Sequence, residues 1–285
     1  MNNLVIICAI LFLVLLFLKV PVYIAVLSAS AVYFIGTPGM NLSIFAQKTI
    51  SGAEGLSLLA IPFFVCAGIF MNYTGVTKRI MNCCEVLTAR MPGGLAQVNI
   101  LLSTLMGGLS GSSLADAAMQ CKMLVPTMES KGYSKSFSTV ITAASGMVVP
   151  LIPPGVGLII YGCINNISIG KLFIAGIGPG IVLCVTLMIF THFLSKKRGY
   201  LPSRTTKIPV SEKIAAVRPA FLPLLLPIII IGGVRIGVFT ASEAGTVAIV
   251  YAVLLGLLYK ELTLKNVMQG CKETVTTTAS IMLIV

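Results

Sequence analysis

Two helix-breaking segments interrupt one long apolar stretch, which runs from Gly93 to Gly155. The first segment has the sequence GGLSGSS at 107–113, and the second has the sequence VPLIPPG at 149–155. Glycine weakens a helix, and proline removes a backbone donor and blocks the helix sterically. Interrupted backbone survives at membrane depth only where it is buried in protein or lines a cavity. This pair of interruptions therefore constrains the fold more than any other feature of the chain.

The apolar arms on either side of the first interruption are too short to cross a membrane separately. At about 1.5 Å per residue, the arms at 95–109 and 114–128 would each be roughly 22 Å long. The hydrocarbon core is about 30 Å thick. We therefore predict a re-entrant hairpin over 93–130, followed by a broken helix over 136–165. Two such breaks together predict a binding site near the middle of the membrane, as in secondary transporters.

Composition excludes a soluble domain and several functional classes. Of the 285 residues, 57% are hydrophobic and 10% are charged, which is typical of a polytopic membrane protein. We attribute the net charge of +12 to cytoplasmic loops in contact with the lipid bilayer, and we predict no nucleic-acid partner. With a single histidine, His192, and eight scattered cysteines, the chain offers no pattern for a metal cofactor or a catalytic triad. We expect no enzymatic activity and no cofactor. A channel is also disfavoured, because no predicted helix carries a continuous polar lining.

The chain divides into five predicted segments of an all-α fold. They are N-terminal scaffold helices (1–56), a scaffold helix with an interfacial arm helix (57–92), the first half of a transport domain (93–195), a basic loop (196–218) and the start of a second repeat (219–285). Within the transport-domain half, a further helix is expected at 169–194. The basic loop holds seven basic residues against one acid, Glu212, which predicts a cytoplasmic location.

The last segment repeats the pattern of the first one. Two apolar helices, a polar link and a third apolar run occur near the N-terminus and again from Pro219 onward, starting from the opposite side of the membrane. This pattern indicates an inverted repeat. The final apolar run begins near Thr276 and is too short to cross the bilayer by Val285. We therefore expect the sequence to be a truncated piece of a longer protein, without the second hairpin.

Five segments resemble the large membrane (permease) subunit of TRAP transporters, the tripartite ATP-independent periplasmic transporters of the ion transporter superfamily. The matching segments are LLAIPFFVCAGIFMN (58–72), GGLSGSSLADAAM (107–119), PLIPPG (150–155), ISIGKLFIAGIGPG (167–180) and GGVRIGVFTASEAGTVAIVYA (232–252). The resemblance implies a multi-pass protein of the bacterial inner membrane with an elevator-type mechanism. It implies sodium-coupled import of organic anions such as C4-dicarboxylates, other carboxylates or acidic sugars, including sialic acid. It also implies two partners, a small membrane subunit and a periplasmic substrate-binding protein.

The candidate site residues lie at the two interruptions. By the resemblance, the hairpin tip and the helix break form a sodium site and one wall of the substrate site. The predicted set is Ser110, Gly111, Ser112, Ser113, Asp116, Thr142, Ser145, Pro150, Pro153, Pro154 and Gly155, with sodium assigned to Ser110, Ser112, Ser113, Pro150 and Pro153. Unpaired carbonyls and hydroxyls suit a cation, whereas helix N-termini suit an anion.

Several of these residues also have a purely structural interpretation. The serines of the tip could only cap the return helix. Asp116 could bind sodium through water, stabilise the start of its own helix, or pair with Lys122. Thr142 and Ser145, three residues apart on one helix, could face the site or only pack. Arg235 and Glu243 are expected to pair with each other or with a partner protein.

A second function fits the same features. An ion-coupled dicarboxylate carrier that works without a binding protein would also use hairpins with Gly/Ser tips. A neighbouring gene for a periplasmic binding protein would distinguish the two functions.

Overall fold

The computed structural model describes residues 2–204, 206 and 208–283. Two residues of the predicted basic loop, Thr205 and Lys207, lie outside the described residues, and so do the last two residues of the predicted final run. Across the described ranges the chain forms thirteen α-helices and two short 3-10 turns, with no β-strand. The predicted all-α fold is confirmed.

The helices follow one another with short connections. In chain order they are α1 (Asn2–Phe17), α2 (Val22–Gly36), α3 (Leu42–Ala53), α4 (Ala60–Tyr73), α5 (Val76–Thr88), α6 (Gly94–Ser110), α7 (Ser113–Ser130), α8 (Lys135–Gly146), α9 (Val156–Ile164), α10 (Ile169–Lys197), α11 (Val210–Arg235), α12 (Ala241–Leu258) and α13 (Leu264–Met282). The 3-10 turns are Leu56–Leu59 and Val149–Leu151.

Several helices are apolar enough to cross a membrane. Among the described residues, α10, α11 and α12 pass this test alone. Two bent pairs pass it together: α4 with α5, bent by 69°, and α8 with α9, bent by 44°. The helices α1, α2 and α6 are apolar but shorter. These helices are those of a polytopic membrane protein.

The chain divides into two compact units, of which the smaller contains residues up to Leu58 and those from Thr276 onward. In this unit α1 and α2 pack closely, and a Cβ on Gly36 would lie 2.7 Å from Leu4 Cδ1. The helix α3 lies where the sequence indicated only a polar connection. Asn41 explains the difference, because its side chain accepts a hydrogen bond from the Ile44 N–H at 3.1 Å and caps the helix.

The larger unit contains residues 59–275, and it includes the hairpin and the helix break. In this unit α12 packs against α4 through a face of small residues. The buried small residues recur every four positions at Ala244, Ala248, Ala252 and Gly256. Small residues let two helices approach closely in a membrane, where the hydrophobic effect does not drive helices together.

Three expectations for the second half differ from the structure. The helix α11 begins at Val210, inside the predicted basic loop, and α13 begins at Leu264, well before the predicted run at Thr276. Both early starts are polar, so hydropathy alone missed them. Glu243 does not pair with Arg235. Instead, its carboxylate accepts hydrogen bonds from the Thr240 N–H at 2.7 Å and the Thr240 hydroxyl at 2.9 Å, which forms a capping box.

A short segment after α10, residues 198–204, holds the base of the hairpin, and we call it the strap. The Gly93 N–H donates to the Tyr200 carbonyl at 3.2 Å, and the Arg204 N–H donates to the Ala89 carbonyl at 2.9 Å. A Cβ on Gly94 would lie 2.6 Å from Ser203 Oγ, so the backbones pass closely. The strap therefore fixes the point where the chain leaves α5 and enters α6.

The Tyr200 ring connects the strap to the loop between α7 and α8. It stacks on Tyr133 with ring centroids 4.4 Å apart and meets Phe137 at 5.1 Å. Its hydroxyl accepts a hydrogen bond from the Ser134 N–H at 3.1 Å. Tyr200 thus links the two ends of the hairpin. Its backbone carbonyl contacts the entrance, and its ring and hydroxyl contact the loop at the exit.

We expect Tyr200→Ala to destabilise the full-length protein, because two aromatic contacts of about 1 kcal/mol each are lost. Tyr200→Phe serves as the control, since it keeps both ring contacts and removes only a hydrogen bond worth about 1 kcal/mol or less. The measurement is thermal unfolding of the purified protein in detergent. Equal melting temperatures for wild type and Tyr200→Ala would show that the strap does not hold the hairpin.

Candidate functional site

The chain reverses direction at a single glycine between α6 and α7. Gly111 has φ +63°, a left-handed conformation that glycine adopts without steric cost. Its N–H donates to the Gly107 carbonyl at 3.3 Å. Ser112 then caps α7 by accepting from the Ala115 N–H at 3.5 Å. Neither arm passes the test for a single membrane span, because α6 has only 17 residues, and α7 has 18 but carries three charged side chains.

Asp116 closes this turn from inside the protein. Its side chain is fully buried, and its Oδ2 atom accepts a short hydrogen bond from the Ser110 hydroxyl. The Oδ1 atom has no hydrogen-bond partner in the described structure. Among the described residues Asp116 forms no ion pair, and Lys122 is not its partner. The contact with Ser110 connects Asp116 to the turn, and both proposed roles, in stabilising the helix and in binding sodium, stay predictions.

The predicted helix break is present between α8 and α9. The helix α8 ends at Gly146, a 3-10 turn follows, and extended backbone leads to the start of α9 at Val156. Pro153, Pro154 and Gly155 are buried, whereas Pro150 is half-buried. A Cβ on Gly155 would lie 2.6 Å from the Pro150 carbonyl oxygen, so the broken segment folds tightly on itself.

The hairpin tip lies directly against this break. A Cβ on Gly107 would lie 2.9 Å from Val149 Cα, and a Cβ on Gly108 would lie 3.0 Å from the Pro153 carbonyl oxygen. A Cβ on Gly111 would lie 3.1 Å from the Pro154 carbonyl oxygen. Side chains at the first two positions would force the backbones apart. The structure thus brings the two predicted interruptions together.

Four helix ends meet at this junction. The C-termini of α6 and α8 carry partial negative charge, and the N-termini of α7 and α9 carry partial positive charge. Neither α6 nor α8 has a basic residue in its last turn. Asp116, in the first turn of α7, is the single acid in the first turns of α7 and α9. The junction therefore places the negative ends of α6 and α8 beside the positive ends of α7 and α9, and the Asp116 carboxylate adds negative charge at the start of α7.

A buried polar cluster joins the hairpin to α8. Its members lie on α6, α7 and α8 and are at most 1% exposed: Asn99, Ser103, Gln120, Thr142 and Ser145. Ser103 Oγ lies 3.0 Å from Gln120 Oε1 and 2.9 Å from Ser145 Oγ. Ser145 Oγ lies 2.9 Å from both Asn99 Oδ1 and the Thr142 carbonyl oxygen. Asn99 Nδ2 donates to Thr142 Oγ1 at 2.6 Å.

The cluster is rich in oxygen atoms. Ser103 and Ser145 make four oxygen–oxygen contacts of hydrogen-bond length between them. Each hydroxyl carries only one proton, and the buried Nε2 of Gln120 has no hydrogen-bond partner among the described residues. Turning the Gln120 amide would let Nε2 donate to Ser103, so the many oxygen atoms of the cluster, and not a missing proton, are what suit a cation. Oxygen atoms are also the ligands that hard cations prefer.

The predicted site residues fall into two groups. Ser110, Gly111, Ser112, Ser113 and Asp116 form the tip, which meets Pro150, Pro153, Pro154 and Gly155 at the break. Thr142 and Ser145 instead belong to the buried cluster. Sequence reasoning missed Asn99, Ser103 and Gln120, although polar residues within apolar arms are costly and commonly functional. Within the described part of the chain, no group of three or more His, Cys, Asp or Glu side chains could hold a metal ion.

Comparison with known proteins identifies the family of this chain. A family model described as "Tripartite ATP-independent periplasmic transporter, DctM component" matches residues 9–285. The chain is 41% identical over 272 residues to the sialic acid TRAP transporter large permease protein SiaM of Vibrio cholerae, covering 95% of this chain and 63% of SiaM. It is 38% identical over 274 residues to the sialic acid permease protein SiaT of Haemophilus influenzae, covering 96% and 44%.

A relative with a different named substrate is equally similar. The 2,3-diketo-L-gulonate large permease protein YiaN of Escherichia coli is 38% identical over 266 residues, which cover 93% of this chain and 62% of YiaN. The chain thus spans less than two thirds of each of these relatives. All three are named permease proteins, a non-enzymatic class, so this chain is assigned to the bacterial inner membrane and not to an enzyme family. The chain belongs to the DctM family, the large permease components of tripartite ATP-independent periplasmic transporters.

Proposed function

We propose that this chain is the membrane subunit of a sodium-coupled importer of organic anions. The observation that carries the proposal is the contact between the hairpin tip and the helix break, made through Gly107, Gly108 and Gly111. The contact lies in a unit that also contains the three single helices long and apolar enough to cross a membrane. Broken helices that meet in this way are a common basis for substrate and ion sites in secondary transporters.

We infer that the substrate anion binds at the N-termini of α7 and α9. Free N–H groups and the positive end of the helix dipole favour a carboxylate at such places. Ser112 and Ser113 are half-buried at the first of these ends, and Gly155 begins the second. The relatives' names refer to sialic acid and 2,3-diketo-L-gulonate, both of which carry a carboxylate. C4-dicarboxylates, other carboxylates and acidic sugars fit the same chemistry.

We infer that sodium binds at the buried cluster, beside the end of α8. Five oxygen atoms meet there: the hydroxyls of Ser103 and Ser145, the side-chain carbonyls of Asn99 and Gln120, and the backbone carbonyl of Thr142. The negative end of the α8 dipole adds attraction for a cation. Pro150 and Pro153 lie in the break that follows α8, and their roles in binding sodium stay predictions. Ser110, Ser112 and Ser113, which the sequence also assigned to sodium, then belong mainly to the substrate side.

Transport by an elevator-type movement is consistent with the packing of this region. The helices α6, α7, α8 and α10 are joined by the cluster, the strap and the tip contact, so they can move as one body. Further chain, a small membrane subunit and a periplasmic substrate-binding protein are expected to complete the transporter. The other candidate, a carrier that works without a binding protein, would show the same uptake when the binding protein is left out.

We predict that Gly111→Val in the full-length transporter abolishes uptake. Valine resists a φ of +63°, and its Cβ would lie 3.1 Å from the Pro154 carbonyl oxygen. Gly132→Val is the matched control, because Gly132 has φ +87° in a loop where a Cβ would meet nothing within 4 Å. The measurement is uptake by the reconstituted complex with protein insertion checked. Wild-type kinetics for Gly111→Val would contradict the assignment of the tip.

We predict that Ser103→Ala and Ser145→Ala each raise the sodium concentration for half-maximal uptake about fivefold, since one ligand worth about 1 kcal/mol is lost. Ser138→Ala is the control: Ser138 is equally buried on α8, but its hydroxyl donates only to the Ser134 carbonyl. Asp116→Asn distinguishes the two roles of Asp116. If the carboxylate binds sodium, the variant changes the sodium dependence of uptake. If the carboxylate only stabilises the hairpin, the variant lowers the yield of the protein. Unaltered sodium dependence in both serine variants would rule out the cluster as the sodium site.

A further inference from the structure

A groove on the first half of α11 combines apolar and basic side chains. It is lined by Lys213, Ile214, Val217, Arg218 and Phe221 and has a volume of about 330 Å³. We call it the α11 groove. Ile214 is 62% exposed and Phe221 is 56% exposed, so both apolar side chains face outward in the described structure. The spacing of these residues places them on one face of the helix.

The charge pattern along α11 predicts that the groove crosses the boundary between headgroups and acyl chains. From Lys213 to Phe221 the helix rises about 12 Å, which is comparable to the polar zone and the upper part of the apolar core. After Arg218 the helix carries no charge until Arg235, so the hydrocarbon region begins at this point. The two cations of the groove lie at headgroup level, and Phe221 lies in the acyl region.

The positive charge of the groove is uncompensated. The only acid between residues 196 and 218, Glu212, forms an ion pair with Arg204. Neither Lys213 nor Arg218 forms an ion pair with any described residue. A ligand of the groove therefore needs both a negative headgroup and an apolar chain.

We propose that the α11 groove binds an anionic phospholipid of the cytoplasmic leaflet. The phosphate lies between Lys213 and Arg218, and one acyl chain lies along Ile214, Val217 and Phe221. Basic segments beside membrane-spanning helices attract anionic headgroups in this way. A helix from another protein would need acidic side chains at two matching levels and would cover a longer face than these nine residues.

A second groove on α10 provides an internal comparison. It is lined by Thr186, Ile189, Phe190, Phe193, Leu194 and Lys197 and has a larger volume of about 480 Å³. Its lining contains one cation instead of two. If charge determines selectivity, this groove retains anionic lipid less strongly than the α11 groove despite its larger apolar area.

The test uses the full-length transporter in nanodiscs of phosphatidylcholine with a minor fraction of phosphatidylglycerol, and native mass spectrometry counts the retained lipids. The double variant Lys213→Gln/Arg218→Gln should lose about 25-fold in phosphatidylglycerol affinity, since each basic residue near an anionic surface contributes roughly fivefold. The control Lys171→Gln/Arg235→Gln also removes two charges, from the side predicted to be opposite, and should change the affinity less than twofold. Phe221→Ala should weaken retention of both lipids equally.

Four outcomes would overturn the proposal. The first is equal phosphatidylglycerol loss in the two double variants, and the second is equal retention of phosphatidylcholine and phosphatidylglycerol by wild type. The third is displacement of the lipid by millimolar inorganic phosphate, which would indicate a site for free anions. The fourth is an efficient photo-crosslink from Phe221 to the small membrane subunit, which would show that protein covers the groove.

Discussion

Close contact between two pieces of broken backbone determines the arrangement of this protein. Gly107 and Gly108 let the hairpin tip approach Val149 and Pro153 at a distance that no side chain would permit. Because the tip and the break cover each other, their unpaired groups are kept from lipid, which could not satisfy them. The same contact brings together four helix ends, two with partial negative charge and two with partial positive charge. The contact that shields the broken backbone therefore also forms the candidate site.

The rest of the larger unit supports this contact. The buried cluster around Ser103 and Ser145 attaches the hairpin to α8, and Tyr200 attaches its base through stacked rings. The helices α4 and α12 pack through small residues on the same unit. Buried polar networks are costly unless nearly all members are satisfied. This oxygen-rich cluster around Ser103 and Ser145 is where we propose that sodium binds.

Sequence reasoning found the elements whose signals are local. Glycine and proline mark the hairpin tip and the break directly, and hydropathy marks the long helices such as α10. Sequence reasoning failed where the signal is not local. Asn99 and Gln120 are isolated polar residues in the sequence, and only folding brings them together. The first residues of α11 are polar and charged, so hydropathy did not predict that the helix begins there. Glu243 was expected to pair with Arg235 or with a partner protein, and the structure shows its carboxylate in a cap at the start of its own helix.

A crosslink in native membranes tests most directly whether the hairpin packs against the helix that leads into the break. A Cβ on Gly146, at the end of α8, would lie 3.4 Å from Ala117 Cβ on α7, close to the spacing of a disulfide. In a cysteine-depleted full-length transporter, Ala117→Cys/Gly146→Cys should therefore oxidise readily. Ala118→Cys/Gly146→Cys should not, because Ala118 is exposed on another face of α7. Failure of the first pair, or equal oxidation of both pairs, would contradict a hairpin packed against the helix break.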